Sequence, residues 1–199
     1  MSHESRLFSR SLAMRSPRPA TIHRSARFDR TGQYRYQLDR RWDDALPAIA
    51  LIMLNPSRAD HQQDDPTLHR CIRLAQEWQY GRLTVVNLFA YCTSSPKVLK
   101  TVDDPVGLEN DDTILQVCKQ APRILVAWGN AGTLHQRDRT VLELLAPWRD
   151  RLCCLGVTRT GQPRHPLYIP RQTQPQPWEI RRIESISNQN DHEHSLADD

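Results

Sequence analysis

Four short apolar stretches in this 199-residue chain each run into residues that could do chemistry. Behind Ala48–Leu54 stand Asn55, Pro56 and Ser57, and a little later Asp64, Asp65 and Pro66. An asparagine amide can hold a water, but it takes no proton at neutral pH. It can equally shape an Asn-Pro turn. Asp64 and Asp65 could bind a cation or act as a base; the more ordinary reading is one helix cap and one solvated carboxylate. The stretch Leu83–Phe89 carries Asn87 inside an apolar run, where a buried amide must find partners on backbone or on a ligand. Phe89 is either core or a stacking platform. Ile124–Trp128 ends at Trp128 and Gly129, a strand-to-helix turn whose glycines let backbone approach a ligand closely. Behind Leu152–Val157 come Arg164 and His165, and His165 is the best single candidate for an acid or hydrogen-bond donor.

Several chemistries are excluded. The Trp128-Gly129 turn has neither the lysine of a phosphate-binding loop nor the spacing of a dinucleotide fingerprint. No Gly-x-Ser-x-Gly elbow exists. The five cysteines (71, 92, 118, 153, 154) form no Cys-x-x-Cys pair and no even framework, so neither a zinc site nor a disulfide scaffold is expected. Cys92 could be a nucleophile but lacks an evident base; Cys153 and Cys154 fall in a strand and are expected to be inert. No cofactor and no metal are expected.

The elements that must position these residues follow from hydrophobic pattern. The four stretches are apolar on both faces, which is the mark of central parallel strands. Helical stretches lie between them: Pro66 to Tyr80, with Asp65 as its cap, Gly107 to Gln120, and Asn130 to Trp148. Alternating strands and helices predict βαβ units with helices on the sheet faces. Ahead of them Tyr34, Tyr36 and Leu38 alternate with Arg35, Gln37 and Asp39, which predicts an N-terminal antiparallel strand or hairpin. The expected fold is therefore α/β, a three-layer αβα sandwich around a central four-stranded parallel sheet. One domain over 24–178 would carry it. In open α/β sheets ligands bind beyond the carboxyl ends of the strands, where all the candidate residues lie.

Residues 1–41 hold ten arginines against three carboxylates, +7 of a total of +4, so the remainder carries −3. The first 23 residues read as a disordered basic tail, and residues 179–199 as a disordered polar one. The basic arm could touch nucleic acid; the plainer reading is a solvated tail. The longest apolar run is seven residues, far short of the roughly 20 that span a bilayer, so no membrane partner is expected. A cytoplasmic location is expected from thiol usage and the lack of a signal-peptide core. Oligomeric state is not legible.

Six motifs occur in an order that resembles a bacterial family known as domain of unknown function number 1643: Tyr34-Arg35-Tyr36 through Trp42, Leu54-Asn55-Pro56-Ser57, Asp65-Pro66-Thr67, Asn87-Leu88-Phe89, Ala127-Trp128-Gly129, and Gly161 to Tyr168. The resemblance covers about residues 25–170 and implies no established activity. More distantly, the motif order is similar to the uracil-DNA glycosylase superfamily. That resemblance implies a four-stranded parallel sheet between helices. It implies that Asn55 positions the water that attacks a sugar anomeric carbon. It also implies that the His165-Pro166 motif brings a base-contacting histidine. The departures are Met53, where the first motif has Gly, and the missing serines after His165-Pro166. The cysteines for an iron–sulfur cluster are likewise not matched.

Two functions follow as expectations. In the first, an enzyme cleaves an N-glycosidic bond of a nucleobase in nucleic acid or a nucleotide. Asn55 and His165 would be its catalytic residues, with Pro56, Ser57, Asp65, Asn87, Phe89, Trp128, Gly129 and Arg164 around the substrate. In the second, the same fold binds a nucleobase, nucleotide or nucleic acid without catalysis, because fold alone does not decide function.

Overall fold

The computed structural model describes residues 21–57 and 64–178. The two tails, apart from residues 21–23, lie outside the described residues. Seven strands form one sheet in the order β1-β2-β4-β3-β5-β6-β7. These are β1 (His23–Phe28), β2 (Arg35–Arg41), β3 (Ala48–Met53), β4 (Arg82–Asn87), β5 (Ile124–Val126), β6 (Leu152–Cys154) and β7 (Gln176–Pro177). The four central strands β4, β3, β5 and β6 are mutually parallel. The hairpin β1–β2 adds antiparallel to β4, and β7 adds antiparallel to β6. The expected parallel core with an N-terminal hairpin is present, the hairpin forming one edge, and β7 extends the sheet beyond it at the other.

Strand alternation sorts the core into two layers. Ala50 and Ile52 of β3, with Val86, Ile124, Val126 and Leu152, pack under α2 (Asn110–Gln120) and α3 (Arg137–Leu144). Ile49, Leu51 and Met53, with Leu83, Val85, Leu125 and Cys153, pack under α1 (Pro66–Glu77). Helices therefore cover both faces, and strands buried on both sides read as continuous apolar runs. Asp65 caps α1 by accepting from the Leu68 N–H at 2.7 Å, and Pro66 occupies the first turn, where its missing N–H costs nothing.

All three helices are shorter than the periodicity predicts, and α1 already stops at Glu77, short of Tyr80. The second begins at Asn110, because Gly107 sits at φ +85° and a Cβ there would lie 2.7 Å from the Tyr34 ring. The stretch Asn130–Trp148 is not one helix. It opens as a 3₁₀ turn, Asn130–Gln136, and is broken where His135 and Gln136 take left-handed φ of 53° and 56°. Helix α3 then runs to Leu144, and Pro147 falls in a further 3₁₀ turn, Ala146–Arg151. Left-handed backbone is invisible to a hydrophobic-period reading, because the apolar residues still recur at helical spacing.

The aspartate pair also differs from expectation. Asp65 is the helix cap, but Asp64 is not solvated. Its carboxylate is 1% exposed and meets Arg40, itself fully buried, at 2.7 Å, with Arg24 at 3.4 Å. A fully buried guanidinium on β2 requires a fixed counter-charge, and Asp64 supplies it. The ion pair ties the hairpin to the start of α1.

Candidate active site at the carboxyl edge of the sheet

From β3 the chain crosses outward to β4, then returns past β3 to β5. The connections leaving β3 and β5 therefore diverge, and a crevice opens between them; this is where doubly wound sheets bind ligands. Two adjoining cavities lie there. The smaller, about 160 Å³, is walled by Arg35, Asn55, Ser57, Asp65, Asn87 and His165 among others. The larger, about 590 Å³, is walled by Asn55, Trp128, Gly129, Arg159, Arg164 and His165 among others. Asn55 and His165 belong to both.

Asn55 follows β3 and its side chain is locked. Nδ2 donates to the carbonyls of Pro56 at 3.0 Å and Thr93 at 2.7 Å. Both partners are acceptors only, so the amide can face one way, and Oδ1 is left as an acceptor at the cavity wall. Pro56 acts through backbone: buried, it accepts from Asn55 and from the Thr93 N–H. It lines neither cavity.

His165 caps the 3₁₀ turn Pro166–Tyr168, its Nδ1 accepting from the Leu167 N–H at 3.4 Å. An accepting Nδ1 carries no proton, so the ring hydrogen resides on Nε2. Burial holds the imidazole pKa below its ordinary value, while the Asp65 carboxylate pulls the other way. The result is a neutral ring with a single N–H donor.

Asn87 ends β4 at 2% exposure and lines the smaller cavity. Its own carbonyl accepts from Asn110 Nδ2 at 3.1 Å. The next carbonyl, of Leu88, accepts from Asn110 Nδ2 at 3.0 Å and from Arg137 Nε at 2.8 Å. Asn110 and Arg137 each open a helix and are buried. Ser57 donates to Asp65 at 2.9 Å, which ties the residues after β3 to the cap of α1 at the wall of the smaller cavity. Phe89 is fully buried in the α2–α3 layer and lines neither cavity; it is core.

Trp128 is 2% exposed and edge-on to Trp178, their ring centroids 5.4 Å apart. Its Nε1 donates to Gln162 Oε1 at 2.8 Å, and Gln162 Nε2 donates to Asp138 at 2.8 Å. Gly129 has φ +69° and donates its N–H to the Pro163 carbonyl at 2.8 Å. Arg164 gives Nε to the Val157 carbonyl at 2.9 Å and leaves its terminal nitrogens at the larger cavity.

Sequence reasoning missed Arg35 and Arg159 as wall residues, and marked Met53, which walls both cavities, only as a departure from a motif. Arg35 lies in the Tyr-Arg-Tyr alternation that marks it as outward-facing, yet it is 7% exposed and walls the smaller cavity. Burial lowers its guanidinium pKa, against the favourable charge of the Asp65 carboxylate. The Cys92 thiol is pushed up by burial, which removes the thiolate a nucleophile needs. Cys153 is pushed up to about 12 and is inert. Among the described residues no group of three His, Cys, Asp or Glu side chains is placed to hold a metal ion. No described helix is long and apolar enough to cross a membrane.

The model of a family described as a protein of unknown function (DUF1643) matches residues 35–167. No curated protein matches, and no solved structure matches.

Proposed function

The chain belongs to the DUF1643 family, and we propose that its carboxyl-edge site binds a nucleobase-bearing ligand and hydrolyses the N-glycosyl bond. One observation carries the reading: Asn55 and His165 wall the same two cavities with opposite hydrogen-bonding character. Asn55 offers an acceptor whose orientation its backbone bonds fix, and His165 offers a neutral N–H.

Hydrolysis of an N-glycosyl bond needs both. A water hydrogen-bonded to Asn55 Oδ1 adds its oxygen to the anomeric carbon. The C–N bond breaks and its electron pair leaves on the base. Asn55 takes no proton, so the water's proton passes to solvent, and solvent returns one to the departing base. The His165 N–H stabilises negative charge as it grows on that base, and a neutral donor of low basicity is suited to do so without transferring its proton. The central parallel sheet with helices on both faces, and the distant resemblance to the uracil-DNA glycosylase superfamily, support the reading. A nucleic-acid role for the basic arm concerns residues outside those described.

Binding without hydrolysis is favoured by Met53. Its side chain walls both cavities in place of the glycine that would let a sugar approach. Single-turnover incubation with uracil- and hypoxanthine-containing DNA and the free nucleotides separates the two. In the enzyme, Asn55→Ala slows the chemical step and leaves binding nearly intact. His165→Ala lowers the rate by on the order of 100-fold, more than it weakens ground-state binding. Equal cleavage by both variants and the parent refutes the roles. Saturable binding with no cleavage establishes the binding module.

A further inference from the structure

We propose that the larger cavity is a phosphate subsite, so that the ligand is a nucleotide or nucleic acid rather than a free base or nucleoside; this rests on the nucleobase reading above. The charge of the wall carries it. Of the titratable groups lining this cavity, Arg159 and Arg164 are cations, His165 accepts a hydrogen bond at Nδ1, Tyr168 is a phenol, and none is a carboxylate. The body outside the basic arm is net acidic, at −3, so a carboxylate-free wall holding two guanidiniums is a local departure from it.

The arginines are placed to receive an anion. Arg164 spends only Nε, on the Val157 carbonyl, and keeps its two terminal nitrogens. Arg159 forms no hydrogen bond or ion pair among the described residues. A neutral donor stands beside them: Thr160 donates its one hydroxyl hydrogen to Asn130 Oδ1 at 2.9 Å, which orients the Asn130 amide with Nδ2 as the donor at the cavity wall, while Thr158 spends its own hydroxyl hydrogen on Thr160 at 3.1 Å. Guanidinium pairs with planar donor forks suit phosphate oxygens. The smaller cavity is unlike this. It holds Asp65 as well as Arg35, at a quarter of the volume, and suits the neutral, polar edge of a base. Because Asn55 and His165 are common to both cavities, a ligand with its base in one and its phosphate in the other would carry its sugar across the pair.

The test measures binding of three probe classes to the full chain: uridine and inosine, their 5′-monophosphates, and short single-stranded oligonucleotides carrying deoxyuridine or deoxyinosine. Inorganic phosphate is a fourth probe. The phosphorylated ligands are expected to bind on the order of tenfold or more tightly than the nucleosides, and the difference should shrink as salt rises. Arg159→Gln alone touches no fold contact and should reduce the ratio. Arg159→Gln with Arg164→Gln should abolish it, and lysine at both positions should restore part of it. Preference for the monophosphate identifies a free nucleotide, and preference for the oligonucleotide a phosphodiester. Equal affinity for nucleoside and nucleotide, or a ratio unchanged in the double variant, overturns the subsite and leaves the glycosidic reading standing. Phosphate binding that depends on both arginines, without affinity for any base, supports the subsite and overturns that reading. No binding by any probe overturns both.

Discussion

Gly132→Ala should unseat the wall of the larger cavity by sterics alone. A Cβ at residue 132 would stand 2.1 Å from Trp128 Cδ1, 2.7 Å from Nε1 and 2.9 Å from Cγ. Carbon atoms in contact sit about 3.5–4.0 Å apart, so the indole must withdraw by more than about 1 Å. It has nowhere easy to go: the ring is 2% exposed and held edge-on by Trp178. A shift of that size stretches the 2.8 Å bond from Nε1 to Gln162 beyond hydrogen-bonding range. Overpacking costs about 1–3 kcal/mol, and a buried polar pair left unsatisfied about 1–3 kcal/mol more. The expected destabilisation is therefore about 2–6 kcal/mol, a large share of the roughly 5–15 kcal/mol that holds a domain of this size.

Urea denaturation followed by far-UV circular dichroism gives the stability change. The near-UV tryptophan band reports the Trp128–Trp178 geometry. Gly129→Ala is the control, because nothing lies within 4 Å of a Cβ there. Its cost is confined to backbone, at φ +69° and ψ −172°, a region held almost only by glycine, for about 1–3 kcal/mol. The near-UV band should change in Gly132→Ala and persist in Gly129→Ala. A Gly132→Ala protein within 0.5 kcal/mol of the parent, with an unchanged band, would show the packing to be wrong.

Two further outcomes follow from the charges around the site. Asp64→Ala leaves the fully buried Arg40 without its 2.7 Å partner and should cost about 3–5 kcal/mol; the double variant with Arg40→Met should recover most of that loss in the same urea titration, and no recovery would mean that the ion pair is not the cause. His165 has a folded pKa below the ordinary 6.5, so the unfolded chain binds more protons below that value. Stability from this group is whole above about pH 6.5 and is lost as pH falls towards the folded pKa. The acid limb of ligand binding should likewise lie below pH 6.5, and Asp65→Asn, which keeps a competent helix cap, should move it lower still by removing the charge that favours the imidazolium. An acid limb above pH 6.5, or one that Asp65→Asn raises, would refute the assignment.

The parallel core was legible because strands buried on both faces must be largely apolar: β3, β5 and β6 are apolar throughout, and β4 departs only at Arg82, Thr84 and Asn87. The strand-end location of Asn55, Asn87, Trp128, Gly129 and His165 followed from the same pattern. Three things were not legible. Arg35 looks like the polar side of an alternating strand, and Arg40, in phase with Tyr36 and Leu38, puts a charge on its apolar side; only tertiary structure accounts for the burial of both. Asp64 and Asp65 are adjacent and chemically alike, yet one pairs with Arg40 across 24 residues and the other caps its own helix. The break at His135 and Gln136 leaves no trace in hydrophobic spacing.

Asn110 and Arg137 tie these levels together. Strand β4 ends at Asn87, but the chain stays buried through Leu88, Phe89 and Ala90. Backbone carbonyls there have left the sheet ladder and are shut off from water, so each needs another donor. The first residues of α2 and α3 reach in and supply it: Asn110 to the Asn87 and Leu88 carbonyls, and Arg137 to the Leu88 carbonyl, with Arg137 also paired to Asp111. A polar residue at the start of a helix is thus spent on the end of a strand. The backbone under Asn87 is held from two helices at once, so its side chain meets the smaller cavity from a rigid base. The buried polar residues that a core-packing view would regard as costly are the ones that brace this sheet edge.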